Sequence, residues 1–263
     1  MTTEATTRTY RGSGGSKPAP RDPNSKPSKF RGPAYILSEK VGDNEKKVTP
    51  FMVRVGTKST PVVTLDHGEF DFAVLLHARF KANGSWSNYV VCTKKSDPKG
   101  CPVCSVFTEK PSQWFLCGTL VDRSVWVIPD GKNKGKEISN QRRLLLVTAS
   151  QVDQMELIGG KIGGWRGAVF DVGRSTDQKS PRIGSNWFYS AKMTEEDMLE
   201  LFEPAAAGYG LPVDQYIEPF NYEEILKPKS FEEMTKIAAA IKAEGAQELA
   251  PASSVSNEAD VPF

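Results

Sequence analysis

From about Pro50 to Tyr189 the apolar residues fall in short runs, each rich in β-branched and aromatic side chains. Residues 51–55, 61–65, 70–80, 88–93, 114–128, 143–148, 168–172 and 187–189 read as strands. Turn residues separate them at Asn83-Gly84, Asp97-Pro98, Asp130-Gly131 and Gly163-Gly164. Many short strands at this spacing predict a barrel or sandwich. Helical patterns are few. Residues 150–158 form one, with Ser150 as its cap. Residues 194–202 form another, with Thr194 capping and acids in the first turn. A third runs over 230–244, where Ser230 and Glu233 fit a capping box.

The two ends carry no such pattern. Residues 1–33 are Ser, Thr, Gly, Pro and basic residues with almost nothing apolar, so burial cannot offset the entropy of ordering them. They predict a flexible basic arm. Residues 245–263 are dominated by Ala, Pro, Ser and Glu and predict a disordered tail. Between the ends lie a β core over 34–192 and a helical part over 193–244.

Composition then sharpens the picture. An aromatic content of 10% supports a real core. No apolar run approaches the roughly 20 residues that span a bilayer, and residues 1–33 lack the apolar block of a signal peptide. The expectation is an intracellular, soluble chain, where disulfides among its four cysteines are disfavoured. The net charge of +2 hides a segregation. Residues 1–33 carry seven basic and two acidic residues, and 74–192 carry eighteen and nine. Residues 193–263 carry four and fifteen. A basic middle and an acidic end point to a polyanionic ligand and a tail that opposes it.

The strongest chemical signal lies between His77 and Cys104. Cys101-Pro102-Val103-Cys104 places two thiolates on one turn. Cys92 precedes it by nine residues, and His77 precedes Cys92 by fifteen. One imidazole and three thiolates make a closed structural Zn2+ site with no position left for water. A redox pair would need a helix opening after a strand in a βαβ unit, and none is evident. Cys117 lies in a core-like strand and His67 is the only other histidine, so either competes with His77 for the fourth position.

Phe72 to His77, Phe80-Lys81-Ala82-Asn83-Gly84-Ser85-Trp86, Cys92 and Cys101-Pro102-Val103-Cys104 together resemble the zinc region of the T-even phage single-stranded DNA-binding proteins. The resemblance covers about thirty residues and departs in a longer stretch between His77 and Cys92. It implies His77, Cys92, Cys101 and Cys104 as zinc ligands within an OB-fold. The expected architecture is mainly β with some α: an OB-fold-like β-barrel, a zinc-binding insertion at about 77–110 and a helical C-terminal part. A weaker echo of related phage proteins runs from Phe170 to Arg182.

Coating single-stranded DNA requires cations for phosphates and flat rings for bases. Arg79, Lys81, Trp86 and Tyr89 fall on one expected hairpin, with Lys94 and Lys95 beside the zinc loop. Trp126, Lys132, Lys134, Lys136, Arg142 and Arg143 follow, then Arg166, Arg174, Lys179 and Arg182. The chain closes on Asp260-Val261-Pro262-Phe263, which resembles the tip with which bacterial single-stranded DNA-binding proteins recruit replication and recombination enzymes. A terminal ring, its carboxylate and nearby acids suit a pocket with a basic rim. The expected function is non-enzymatic, sequence-independent protection of single-stranded DNA in phage replication, recombination and repair in the host cytoplasm, with self-association on DNA. The rival is a zinc-ribbon accessory factor that binds duplex DNA. With few histidines, and acids gathered in the tail, an enzyme is disfavoured.

Overall fold

Two ten-residue strands, β4 (Ala73–Ala82) and β6 (Gln113–Asp122), carry the architecture. The computed structural model describes residues 35, 37–68, 72–82, 85–107, 112–128 and 133–244, without the side chains of 81 and 85–87. The arm over 1–33, the turns at Asn83-Gly84 and Asp130-Gly131, and the tail over 245–263 lie outside the described residues. The described residues all belong to one compact unit.

The chain begins with a hairpin of β1 (Leu37–Val41) and β2 (Asn44–Val48), then β3 (Pro61–Thr64) and β4. β5 (Ser85–Val91) and β6 follow, then the short pair β7 (Trp126–Val127) and β8 (Glu137–Ile138). Next come β9 (Gln141–Thr148), α1 (Ala149–Ile162), β10 (Ala168–Gly173) and β11 (Asn186–Lys192). The last part holds α2 (Glu195–Tyr209), α3 (Val213–Tyr216), α4 (Tyr222–Ile225) and α5 (Phe231–Ala243).

Seven strands form one antiparallel sheet in the order β11-β10-β3-β6-β4-β5, with β9 on the other edge of β6. The first half of β6 pairs with β4, and its second half pairs with β3. β9 runs along the opposite edge from Phe115↔Thr148 to Asp122↔Gln141. One edge of β6 is thus shared in tandem, which gives the sheet a branch instead of a ring. Among the described residues, strand pairing does not close the expected barrel: β5 and β11 stand at the two ends of the path. The far edge of β9 takes up an irregular segment. Phe51 N–H donates to Leu144 O at 2.7 Å, and Val53 N–H donates to Arg182 O at 2.7 Å. The expected strand over 51–55 is this bridge, with a ladder position only at Pro50.

Alternation along the strands builds two cores. Val62, Leu116, Leu120, Leu145, Val147 and Phe170 face one way, onto Met155 of α1 and Trp165. Val63 and Val121 face the other way, onto Met198, Phe202 and Ala206 of α2. Val74, Leu76, Cys117, Leu144 and Leu146 share that face beneath Phe220, Ile225 and Leu226. Each fully buried Leu or Phe contributes roughly 1.5–3 kcal/mol. The helical C-terminal part is therefore the second cover of the sheet.

The expected caps of α2 and α5 form: Asp197 N–H donates to Thr194 Oγ1 and Glu233 N–H to Ser230 Oγ. α1 starts one residue earlier than expected, with Thr148 and Gln151 forming the box in place of Ser150. α2 runs through Pro204 to Tyr209, beyond the expected end at 202. Burial of Phe202 and Ala206 outweighs the backbone hydrogen bond that Pro204 cannot make. Among the described residues no helix is long and apolar enough to cross a membrane.

Candidate metal centre and basic surface

β4 presents His77, and Cys92 follows the last residue of its partner β5. The Cys92 amide donates to Leu75 O at 2.7 Å, which fixes the thiol beside β4. The loop then folds back. Ser96 and Asp97 amides donate to Thr93 O, and the Gly100 amide to Asp97 O. Gly100 takes the left-handed conformation this reversal needs (φ +76°). The turn that follows presents Cys101 and Cys104, with the Cys104 amide on Cys101 O at 3.1 Å.

The four ligand atoms lie within 4.8 Å of one another. His77 Nε2 is 3.3 Å from Cys101 Sγ and 3.8 Å from Cys104 Sγ, and Cys92 Sγ is 3.4 Å from Cys104 Sγ. A tetrahedral ion with bonds of about 2.3 Å to sulfur and 2.0–2.1 Å to nitrogen gives edges of roughly 3.5–3.8 Å. The donors therefore fit a single ion. A hydrogen bond from Cys92 holds the Cys101 thiol far below its usual range, helped by His77 and the amides of Cys104 and Thr93. The same contact with Cys101, followed by burial, pushes Cys92 up. Burial pushes Cys104 up. The cluster thus favours the thiolate at Cys101, and a divalent cation would displace the remaining thiol protons.

Of the candidates for the fourth position, His77 lies in the cluster, and Cys117 and His67 lie elsewhere. Cys117 is buried on the opposite face of the sheet, among Leu76, Leu144 and Leu146. His67 is exposed and pairs with Glu218 at 2.8 Å. The metal cluster is walled by Phe80, Val90, Val103 and Val106, and by Met234, Ile237, Ala238 and Ile241 of α5. Nothing in the sequence signalled that the last helix would pack on this cluster.

The nominated cations have different fates. Arg142 is buried, with Nη1 on the Glu39 carboxylate (2.9 and 3.2 Å) and Nη2 on Glu218 O (2.6 Å). Arg166 grips both oxygens of Glu195 and also reaches Glu218, Leu65 O and Ile217 O. Arg174 is spent on Val53 O, Gln178 O and Ser180. Arg143 is half-buried and donates to Gln141 Oε1. Tyr89 is buried under β1, its phenol pushed up to about 12 by burial. Lys94, Lys95, Lys134, Lys136 and Lys179 are exposed. Lys132 and the side chains of Lys81 and Trp86 lie outside the described residues.

What remains at the surface includes a row that the sequence did not assemble. Arg79 Nη1 meets Met52 Sδ at 3.4 Å. Two residues beyond Met52, the Arg54 guanidinium lies over the Trp126 ring, 5.1 Å from its centre. Met52 and Trp126 are 45% and 43% exposed, high for such side chains in so basic a setting. Val53 between them points into the core. Lys134 and Lys136 lie on the β7–β8 hairpin beside Trp126. A second pair, Lys95 over Trp114 at 5.1 Å, lies near the metal loop. Met52, Arg54 and Trp114 escaped the sequence reading because their runs looked like core strand. Met52 and Arg54 flank the buried Val53 in an irregular segment, and Trp114 is exposed at the start of β6.

No protein-family model matches this sequence, and neither a curated protein nor a solved structure is significantly similar to it.

Proposed function

We propose that this chain is a zinc-braced, non-enzymatic protein that coats single-stranded DNA without reading its sequence. The observation that carries this reading is the surface row of exposed Met52, Arg54 and Trp126 with the half-buried Arg79. A stacking ring with cations along it suits a flexible strand whose bases are free, at about 1–3 kcal/mol per stacked base. Lys134, Lys136 and Lys179 extend the cationic track. Lys94, Lys95 and Trp114 supply a second contact near the metal loop.

Three thiolates and one imidazole favour zinc, and four protein ligands leave no open position for chemistry. His77, Cys92, Cys101 and Cys104 would hold the ion, which would supply rigidity where β4, β5 and α5 meet. The tandem use of β6, with the 49–53 bridge on β9, supports a rolled, OB-like sheet. The similarity of the metal region to T-even phage proteins supports an intracellular role in phage DNA replication, recombination and repair.

The acidic tip Asp260 to Phe263 would recruit replication and recombination proteins, and the basic arm would promote self-association along DNA. Deleting 245–263 should abolish partner capture while leaving the affinity for DNA equal or higher; retained capture would remove the tip's role.

Competition between a fluorescent oligothymidylate and unlabelled duplex tests the central reading. Single strands should compete at least about tenfold better than duplex. Equal or better competition by duplex would favour a zinc-ribbon duplex-binding factor.

A further inference from the structure

A cavity of about 220 Å³ lies between α1 and the sheet, and it shares no residue with the metal cluster or with the row of Met52, Arg54 and Trp126. Leu116 of β6, Val147 of β9, Met155 of α1 and Trp165 form its apolar walls. A dry cavity of about 150 Å³ admits benzene, so this one has room for a larger planar ring. It opens to solvent where Glu156, Gly160 and Gly163 are exposed. Two glycines of α1 make the space. The bare backbone of Gly159 carries the Trp165 indole, since a Cβ there would lie 2.5 Å from Nε1. Gly160 has no such reason: a Cβ would meet nothing within 4 Å, and glycine inside a helix is costly. Its effect is to keep the mouth of the cavity open.

Of the residues lining the cavity only Glu156 is charged. Its carboxylate has no hydrogen-bond or ion-pair partner among the described residues. Cations stand around the mouth instead. Lys192 Nζ donates to Gly163 O at 2.8 Å and to Gly164 O at 3.3 Å, and Lys161 is exposed beside Gly160. Trp114 precedes Leu116 by two residues on β6, so the two side chains share a face about 7 Å apart along the strand. The Lys95 ammonium lies over the Trp114 ring. An apolar slot with one carboxylate acceptor, ringed by cations and next to an exposed indole, suits one kind of group. That group is a planar ring with hydrogen-bond donors on one edge, hung from an anionic backbone.

We propose that this cavity takes one guanine base of the bound strand, with Glu156 accepting its N1–H and its N2 amino group. Guanine is the base whose Watson–Crick edge offers two adjacent donors. Adenine and cytosine each set an acceptor beside the amino group, and thymine flanks its single N–H with two carbonyls. Splayed single-stranded bases are read on that edge. The next base along the strand stacks on Trp114, and Lys95, Lys161 and Lys192 serve the flanking phosphates. That the guanine comes from a nucleic-acid strand rests on the single-stranded DNA reading; the affinity of the cavity for guanine does not. One such pocket adds a mild base preference to contacts that otherwise ignore sequence.

The test uses the full chain and its Glu156→Gln and Gly160→Leu variants. Competition compares oligothymidylate with the same oligomer carrying one central deoxyguanosine. Wild type should bind the substituted oligomer about fivefold more tightly, the low end for a bidentate contact to a base. That ratio should fall to about one in Glu156→Gln, whose amide can accept only one of the two bonds. It should fall likewise in Gly160→Leu, whose side chain fills the mouth. Gly160→Leu should melt no lower than wild type, because leucine suits a helix better than glycine, and this separates a blocked cavity from a damaged fold. A ratio that persists in either variant would overturn the proposal. If wild type binds both oligomers equally, the guanine assignment fails and the DNA reading stands. If wild type binds no single strand, the DNA reading fails and free deoxyguanosine decides the cavity. Amide chemical shifts over 156–164 that move in wild type but not in Glu156→Gln then uphold the site, and shifts that stay still in wild type remove it.

Discussion

The phenol of Tyr222 donates a 2.6 Å hydrogen bond to Asp66 Oδ1, joining α4 to the end of β3. Thr119 of β6 completes the junction: its amide donates to Asp66 Oδ2, and its hydroxyl lies 2.8 Å from the phenol. Burial is the main reason that the Asp66 carboxyl is raised to about 6, with Tyr222 and Thr119 only partly opposing it. A folded-state value above the unfolded one means that the folded protein holds this proton more tightly. The stability from this group is full below about pH 4 and is lost as pH rises to about 6.

Wild type and Asp66→Asn should therefore diverge with pH. Between pH 4 and pH 7 the stability difference should move by up to about 3 kcal/mol in favour of Asp66→Asn. Denaturant unfolding at several pH values measures it. A difference that stays flat would mean that Asp66 is not the titrating group.

Metal removal should act through α5. Met234, Ile237 and Ile241 pack on the loop that carries Cys101 and Cys104, so chelation should free α5 and the metal loop before the β6–β9 core. Hydrogen exchange should show lost protection in 231–243 and 92–107, with α1 unchanged. Metal analysis should give one ion per wild-type chain and per Cys117→Ala chain, and much less in His77→Ala. Metal lost from Cys117→Ala and kept in His77→Ala would reverse the ligand assignment.

Arg166→Ala should weaken the fold rather than the surface. Its guanidinium is largely covered and ties β10's approach to Glu195 and Glu218, while both glutamates remain half exposed. Their exposure tempers the loss to about 1–3 kcal/mol. Thermal unfolding should register this, whereas Lys134→Ala and Lys136→Ala should leave stability within about 0.5 kcal/mol. Equal stability in all three would remove the structural role of Arg166.

The sequence made the local features plain and concealed the long-range ones. Thr194 and Ser230 announced their helices because a cap is a contact between residues three apart. The grouping of His77, Cys92, Cys101 and Cys104 was legible because a Cys-Pro-Val-Cys turn after a strand-borne His and Cys has the spacing of a ligand set. The fate of the arginines was not legible. Arg142 finds Glu39 across 103 positions, and Arg166 finds Glu218 across 52, pairings set only by the folded topology. The β1–β2 hairpin was hidden because Asn44-Glu45-Lys46-Lys47 carries polar side chains at nearly every position. Arg54 and Trp126 stand far apart in sequence, and their contact depends on the irregular 49–58 segment, which no periodicity foretells.

A salt titration on oligothymidylate tests the central claim most directly, using wild type, Arg54→Ala and Trp126→Ala. Wild-type log K should fall linearly with log[salt], at roughly −0.7 for each phosphate contact. Arg54→Ala should flatten that slope. Trp126→Ala should keep the slope and lose about 1–3 kcal/mol at every salt concentration. Salt-independent binding by wild type, or three superimposable lines, would contradict the account.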